Sequence, residues 1–264
     1  MQRPLIQLFA LAALATVLVG CNIVTKISSN TRSLQGTGPV KSETRTVTDF
    51  DKLEVGGNFQ VVVKVGPSTS VKLEAQENLV KAIEAKVEGG VLKVASEENL
   101  VSDKPILVTI TTPKLVSVSG SGAVSLNVEG IQGTGFRADL SGASKLKAAG
   151  TADEVKLEGS GGAEIVWDGL TSKSLAVSMS GGGSTLVSGS SDSLALDMSG
   201  GSTFKGEKFA TKAATADTSG GCSVVVNAKD TLSIHSSGGG SIRYIGNPTL
   251  SQDVSGGVEV SRVP

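Results

Sequence analysis

A Ser-Gly dipeptide recurs at nearly constant spacing through the second half of this 264-residue chain. Successive copies are 22, 19, 20, 19, 20, 18 and 18 residues apart, and their serines are Ser119, Ser141, Ser160, Ser180, Ser199, Ser219, Ser237 and Ser255. Of the 34 glycines, 26 lie after residue 118. A period of about 20 residues is typical of arrays in which one small structural unit is stacked many times.

Apolar residues keep a fixed distance from the repeated serine. The positions one and three residues before it and five residues after it are mostly apolar. A flexible Gly/Ser-rich segment would not hold apolar residues in register over eight repeats. One repeat cannot bury its own apolar face, but coils stacked at about 4.8 Å bury it together. We therefore predict an all-β chain in which residues 114–264 form a parallel β-helix of about eight coils.

The same register places the glycines, a cysteine and two aromatic residues. A bend repeated in every coil requires backbone angles with positive φ or a close approach of neighbouring chains, and glycine permits both. Cys222 falls within a glycine-rich bend, where we expect it to be partly exposed. Trp167 and Tyr244 both lie seven residues after the repeat serine, and this position is predicted to point inward.

Residues 44–113 show a different pattern, an alternation of apolar and polar residues with period two. Such alternation, interrupted by Gly-Pro at 66–67 and Gly-Gly at 89–90, predicts mainly antiparallel, half-buried strands that cap the solenoid. A short helix is expected over 77–84, because Leu79, Val80 and Ile83 have helical spacing and Asn78 is a candidate cap.

The first 43 residues are predicted to lie outside this fold. Arg3, an apolar stretch over 5–19 and a small residue before Cys21 are typical of a secretory signal, removed after residue 20. The sequence Leu-Val-Gly-Cys resembles the bacterial lipobox, which implies a lipid-modified Cys21 that anchors the protein to a membrane. By the same resemblance, Asn22 favours the outer membrane if the cell is Gram-negative. Residues 22–43 have no hydrophobic periodicity and are expected to form a flexible tether.

Charge and cysteine content exclude two classes. Residues 21–264 carry 23 Lys and Arg against 25 Asp and Glu, so no basic field is available to attract nucleic acid. Cys222 is the only thiol besides Cys21, and therefore no intramolecular disulfide framework is possible. A metal role for Cys222 is not expected, because no companion ligands stand at metal-binding spacing.

Several motifs of the chain resemble those of the bacterial GIN-domain family. They are the runs Gly57–Val63, Val71–Leu79, Leu92–Val94, Thr112–Leu115 and Ser119–Gly122. The resemblance covers about residues 45–264 and implies a right-handed β-helix on an exported protein, of the kind described as an autotransporter adhesin head. No translocating barrel follows residue 264, so we expect export by the lipoprotein route.

The outward position two residues before each Ser-Gly is rich in acidic residues. Parallel stacking would place these side chains about 5 Å apart, where like charges repel unless solvent or a cation intervenes. Calcium prefers such oxygen ligands, and Asp139/Glu158 or Asp197/Asp217 are candidate weak calcium sites. The alternative is a solvated polar face that keeps the solenoid soluble. The candidate calcium or ligand face comprises Asp139, Glu158, Asp197, Asp217, His235 and Asp253, and the same position in the other two repeats is occupied by Ser117 and Ser178.

Two enzymatic alternatives depend on this column. His235 is the single histidine and lies between Asp217 and Asp253, but no Gly-x-Ser-x-Gly elbow accompanies it to indicate a hydrolase. Many β-helix enzymes cleave polysaccharides with clustered carboxylates, and the column could supply them as a lyase or glycoside hydrolase. The low aromatic content, 3%, argues against the exposed sugar platforms that such enzymes use.

We therefore expect a non-catalytic, lipid-anchored envelope protein. Its regular faces would suit glycans or other envelope components as an adhesin-like or scaffold surface. Binding of nucleic acid is not expected. The last strand, over 258–263, is a candidate edge for pairing with a second copy of the chain, which would give a homodimer.

Overall fold

A computed structural model describes residues 32–263 of the chain. Within that range the fold is all-β apart from one short helix, α1 (Glu77–Ala82). Short strands come first: β1 (Ser33–Gln35), β2 (Val40–Arg45), β3 (Lys52–Gly57), β4 (Gln60–Val65), β5 (Ser70–Gln76), β6 (Glu84–Glu88), β7 (Val91–Ala95), β8 (Asn99–Val101) and β9 (Leu107–Thr112). The solenoid strands follow: β10 (Ser117–Gly122), β11 (Ser125–Leu140), β12 (Lys145–Gly161), β13 (Glu164–Gly181), β14 (Ser184–Gly200), β15 (Thr203–Ile245) and β16 (Thr249–Arg262).

The solenoid strands stack as successive coils. From β10 to β16, each strand pairs in parallel with the next one along the chain. Most ladders contain one register shift, such as that between Ala149 and Thr151, where the coil changes direction. The predicted parallel β-helix is confirmed, with about seven turns. The eight repeats seen in the sequence correspond to eight corners, which enclose seven full turns.

One corner of every coil is made by a glycine in the left-handed conformation. Eight such glycines have φ between +72° and +115°, namely Gly122, Gly142, Gly161, Gly181, Gly200, Gly220, Gly238 and Gly256. A Cβ atom at any of them would lie 2.3 to 3.1 Å from the carbonyl oxygen of a glycine one coil earlier. Both reasons for glycine, positive φ and close approach, therefore apply at the same position.

The structure corrects the register of the first repeat. Ser119 pairs with Asp139 and not with Ser141, as the sequence repeat predicts. The corner before Gly142 is formed by Gly122, whose carbonyl oxygen lies against it. The slip is two residues, and because side chains alternate with period two, inward residues remain inward. Val118 is fully buried in either register.

The core is a continuous apolar column inside the coils, and the two aromatic residues named above both face it. Trp167 is fully buried, its ring in edge contact with Phe136 at a centroid distance of 5.3 Å. Its Nε1 donates a hydrogen bond to the carbonyl oxygen of Gly150 (3.3 Å). Tyr244 is half-buried and packs against the same core. The inward prediction is confirmed for both residues.

The region before the solenoid is a mixed sheet that combines the predicted antiparallel pairs with parallel ones. Antiparallel pairs join β6 to β7 around the predicted Gly89-Gly90 turn, β5 to β9, and β2 to β5. Parallel pairs join β3 to β7 and to β10, and β4 to β9 and to β11. The parallel pairs arise because β3 and β4 continue the coil stack. They lie against the first solenoid strands, and the capping role of residues 44–113 stays a prediction.

Helix α1 is confirmed near its predicted place, but its start differs. Leu79, Val80 and Ile83 are buried as expected. Gln76 precedes the first turn without a capping side-chain bond. The Asn78 side chain instead accepts a hydrogen bond from the backbone N–H of Thr37 (2.7 Å) and donates one to the Gln35 carbonyl (2.8 Å).

These bonds belong to a segment that was expected to be a flexible tether. Residues 33–35 form β1, which pairs in parallel with β8, and residues 40–45 form β2, which pairs with β5. The prediction is wrong for this part of 22–43, because the partners that order it lie 30 to 66 residues away in sequence. The predicted signal segment, Cys21 and the rest of the tether lie outside the described residues.

Candidate functional site: an acidic column and its groove

A serine precedes each corner glycine and is here called the corner serine. The outward side chains two positions before each corner serine form one straight column. The ladders place Asp139 beside Glu158 and His235 beside Asp253. Each neighbour is one coil away, about 4.8 Å along the stack. The six predicted residues therefore share one column, here called the acidic column: Asp139, Glu158, Asp197, Asp217, His235 and Asp253. Ser119, and not Ser117, occupies this position in the coil before Asp139.

The start of the acidic column is neutralised by basic residues. Arg137 and Lys156 lie two residues before Asp139 and Glu158 in their strands and so point to the same side. The Lys156 ammonium is 2.7 Å from a Glu158 carboxylate oxygen, and the Arg137 guanidinium contacts the carboxylates of both Glu158 and Asp139. The hydrogen bond from Lys156, followed by the charge of Arg137, holds the pKa of Glu158 below its ordinary value.

The later part of the column has no such basic neighbours. The corresponding flanking positions are occupied by Ala195, Thr215, Ser233 and Ser251. Within residues 32–263, no Lys or Arg forms an ion pair with Asp197, Asp217 or Asp253. His235 Nδ1 lies at hydrogen-bond distance, 2.9 Å, from Asp217 Oδ1. Three carboxylates and one imidazole therefore face solvent in successive coils.

A groove of about 380 Å³ runs beside this unpaired part of the column. One wall is acidic and includes Asp217 and Asp253, while the corner serines form the other wall. Thr218 and Ser236 lie at its base, are both 8% exposed, and share a hydroxyl–hydroxyl hydrogen bond of 2.5 Å. The groove therefore offers carboxylate and hydroxyl oxygens in rows that follow the solenoid axis.

A second depression of about 280 Å³ continues along the same face. It extends from Asp139 to Asp197, and Asp197 also lines the first groove. Its corner wall includes Ser160 and Ser180, and Gly159 lies along it. Together the two depressions form one shallow polar track, which spans the coils from Asp139 to Ser255.

The candidate calcium sites differ in their surroundings. At Asp139/Glu158 the carboxylates already contact Arg137 and Lys156, and these cations compete with a metal ion. Asp197/Asp217 has no basic neighbour of this kind. In the described part of the chain, no three Asp, Glu, His or Cys side chains are arranged to hold a metal ion. Calcium binding at Asp197/Asp217 stays a prediction.

The surroundings of His235 do not assemble a hydrolase. Its ring contacts Asp217, which supplies two members of a triad. Among residues 32–263, no serine hydroxyl is hydrogen-bonded to that ring, and no residue other than glycine has the positive φ of a strained nucleophile turn. The Ser236 hydroxyl nearby is engaged with Thr218.

Cys222 is buried, and the prediction of partial exposure is wrong. Its thiol lies 3.3 Å from the Ser219 carbonyl oxygen and 3.6 Å from the Ser202 hydroxyl. Only 3% of the residue is exposed. Although the glycines at the bend face solvent, Cys222 is two residues past the corner glycine, where the chain has already turned its side chains toward the core.

The basic pairing partners were missed at the sequence level. Arg137 and Lys156 occupy equivalent positions of successive coils, and the repeat alignment already places them two residues from the acidic column. Comparing each acidic residue with the residues diagonal to it on the neighbouring strand identifies both basic partners. The acidic column taken alone predicts repulsion along its whole length, because Arg137 and Lys156 belong to the neighbouring column.

The fold and the track together define a class, a parallel β-solenoid with a polar surface track. Within the described residues, no catalytic triad or metal cluster has been assembled on it. The sequence model of the family described as "Putative auto-transporter adhesin, head GIN domain" matches residues 49–248. The chain belongs to this family, as its motifs indicated.

Solved structures from two Parabacteroides species have the same fold. A "putative adhesin" of Parabacteroides merdae has a TM-score of 0.84 at 19% identity, and one of Parabacteroides distasonis has 0.83 at 20%. A "putative lipid binding protein" of P. distasonis has 0.82 at 16%. In each case the match covers 88% of this chain and 100% of the other. These likenesses establish the fold.

No curated protein matches the chain significantly. In the part of the chain that the structure describes, no helix has the length and apolar character needed to cross a membrane.

Proposed function

We propose that this protein is a non-catalytic, adhesin-like module of the bacterial envelope, anchored through lipid on Cys21, whose polar track binds an extended glycan. The observation that carries the proposal is the track itself, in which carboxylates and hydroxyls repeat coil after coil over two continuous depressions. A sugar polymer presents hydroxyl donors along an extended chain, and a row of oxygen acceptors is complementary to them.

Membership of an adhesin-head family supports a surface or envelope role. Two of the solved structures with this fold are themselves described as adhesins. The buried position of Trp167 removes the one tryptophan from any sugar-stacking platform. Recognition would therefore depend on hydrogen bonds, which favours a weak, repeated interaction along a polymer rather than a deep site for one sugar.

Anchoring is tested by replacing the lipid-bearing thiol. In cells given labelled palmitate, the wild-type protein is expected to incorporate label and to fractionate with membranes. Cys21→Ser should abolish both, because the hydroxyl is not a substrate for lipobox modification. Label retained in the variant would contradict lipidation at this residue. If the cell is Gram-negative, separation of the two membranes tests the outer-membrane location that Asn22 favours.

Ligand binding is tested with soluble protein comprising residues 22–264. A glycan array and a polysaccharide pull-down, each with and without millimolar calcium, should identify an extended glycan. The variant Asp197→Ala/Asp217→Ala should reduce binding by at least about tenfold through loss of charge-assisted hydrogen bonds. The matched control is Asp153→Ala/Asp192→Ala, which removes two carboxylates outside the track, each paired with one lysine.

Three outcomes discriminate between the functions that the track permits. Glycan binding that the control variant retains and the Asp197/Asp217 variant loses would support the proposal. Equal loss in both variants, or no glycan bound, would contradict it. Shortening of the polysaccharide chain, abolished in the Asp197/Asp217 variant, would replace it with a lyase or glycoside hydrolase.

A further inference from the structure

The last coil of the solenoid has no covering coil in the described residues. Strand β16 pairs with β15 on one side, and no strand within 32–263 pairs with its other edge. That edge therefore presents free backbone N–H and C=O groups over a strand of 14 residues. Edges of this kind readily pair with another chain.

The side chains of this coil are also uncovered. Gln252 and Val254 continue the inward columns of Ile234 and Ser236, both of which are buried. Val254 is nevertheless 39% exposed, and Gln252 is exposed as well. Arg262 continues the inward column of Tyr244 and is exposed too. The end of the core is thus a solvent-facing surface that mixes apolar and polar groups.

This surface is self-complementary about its glycine corner. If a two-fold axis passes through Gly257, the β16 strands of two copies run antiparallel, and residues whose numbers sum to 514 face each other. Val254 then opposes Val260 of the partner subunit, and Gln252 opposes Arg262 of the partner subunit. Apolar groups meet apolar groups, and an amide oxygen meets a guanidinium.

The corner also limits where the axis can lie. The coil bends at the left-handed Gly256, so two coils superpose over both of their straight runs only if the axis passes through the bend. Because 514 is an even number, inward residues oppose inward residues, and the two cores become continuous. A two-fold contact of this kind closes on itself and does not propagate into a fibre.

From this geometry we infer that a second copy of the chain covers the end of the solenoid, giving a two-fold symmetric, end-to-end dimer through antiparallel β16 strands. We infer a second copy rather than another partner because Gln252 and Arg262 of the two copies are complementary across the axis. The inference is independent of the lipid anchor and of any glycan.

A cysteine on the proposed axis tests the geometry directly. Gly257 has no left-handed φ, and a Cβ atom there would meet nothing within 4 Å, so Gly257→Cys should fold. In the dimer its two copies face each other at the spacing of an antiparallel pair, about 4.5 to 5.5 Å, which a disulfide can bridge. Mild oxidation of soluble residues 22–264 should yield mostly covalent dimer. The matched control is Gly239→Cys, the equivalent and equally open position one coil earlier, which should form no covalent dimer.

Charge changes at Gln252 provide an independent test. Gln252→Glu places a carboxylate opposite Arg262 of the partner subunit and should lower the dimer dissociation constant about five- to tenfold. Gln252→Lys places two cations together and should raise it by at least that factor. Sedimentation velocity over a concentration series measures both. Monomer at all concentrations, cross-linking of both cysteine variants alike, or the same effect from both charges would overturn the inference.

Discussion

The two halves of the solenoid share one repeat but differ in the pairing of the acidic column and in the number of buried polar residues. In the first half, residues 114–181, the acidic column is paired with Arg137 and Lys156, and one polar residue, Ser144, is buried among the described side chains. In the second half, residues 182–263, Asp197 and Asp217 have no Lys or Arg partner. Its buried polar residues number six: Thr185, Ser191, Ser202, Thr211, Thr218 and Ser236.

The difference shows that one repeated backbone can carry a paired, neutralised surface in one half and an unpaired polar surface in the other. The first half adjoins the N-terminal sheet, and its column carboxylates are paired with basic side chains. The second half leaves charge, hydroxyls and a strand edge available to other molecules. Coils interact mainly with their neighbours, so stability and surface chemistry can vary locally along the stack.

The largest expected effect concerns the inward aromatic residues of the two halves. Trp167→Ala should lower the free energy of unfolding by about 3–5 kcal/mol, because it removes a fully buried indole and its contact with Phe136. Tyr244→Ala should cost about 1–2 kcal/mol, because the ring is only partly buried near the open end. Chemical denaturation of both variants measures the difference, and equal losses would remove the proposed contrast between the halves.

The corner glycines provide the next test. Gly142→Ala forces a side chain into left-handed backbone with its Cβ 2.7 Å from the carbonyl oxygen of Gly122. Coils on both sides hold it in place, so we expect a loss of about 3 kcal/mol. In Gly256→Ala the Cβ lies 2.3 Å from the carbonyl oxygen of Gly238, but within residues 32–263 this coil is held from one side only, and the change should cost about 1–2 kcal/mol. Thermal unfolding followed by circular dichroism would contradict this view if the order were reversed.

Replacing two buried threonines of the second half by valine should change the free energy of unfolding in opposite directions. The hydroxyl of Thr185 is fully buried and has no hydrogen-bond partner in the described structure. Thr185→Val should therefore stabilise the protein by about 1 kcal/mol. Thr218→Val breaks the bond to Ser236 and should destabilise it by about 1 kcal/mol. Denaturation midpoints of the two variants test the assignment, and a loss in both would contradict it.

The smallest effect is the pH dependence of the paired carboxylate. Folding lowers the pKa of Glu158 from its ordinary 4.5, so its stabilising effect is present above that pH and is lost as pH falls through the folded value. Glu158→Gln should cost about 0.5–1 kcal/mol at pH 7, and this cost should disappear as the pH falls through the lowered pKa of the folded state. In contrast, Asp197→Asn should change the stability at pH 7 by less than about 0.5 kcal/mol. A pH-independent loss for Glu158→Gln would contradict the ion-pair explanation.

Much of the fold could be predicted because its causes are local and repeated. The period-two alternation identified inward residues correctly even where Ser119 was aligned two residues out of register. The corner glycines were predicted with the right physical cause. The acidic column followed directly from the repeat, since parallel stacking places equivalent residues side by side.

The errors arose where the cause was distant in sequence. Strand β2 is ordered by β5, and no pattern within 40–45 itself identifies that partner. The burial of Cys222 depends on where the chain completes its turn after the corner. The pairing of Glu158 with Arg137 joins two neighbouring coils, 21 residues apart, which a reading of one column does not include.

The repeated glycine corner makes one coil the unit by which the solenoid can be lengthened or shortened. Since every interior corner rests on the one before it by the same contact, a whole coil of 18 to 20 residues could be duplicated or deleted without disturbing the others. Such a change would lengthen or shorten the solenoid by about 4.8 Å while leaving its cross-section intact. The polar track would change with it, so descendants of one gene could adjust their reach and the number of ligand units they span in a single genetic step.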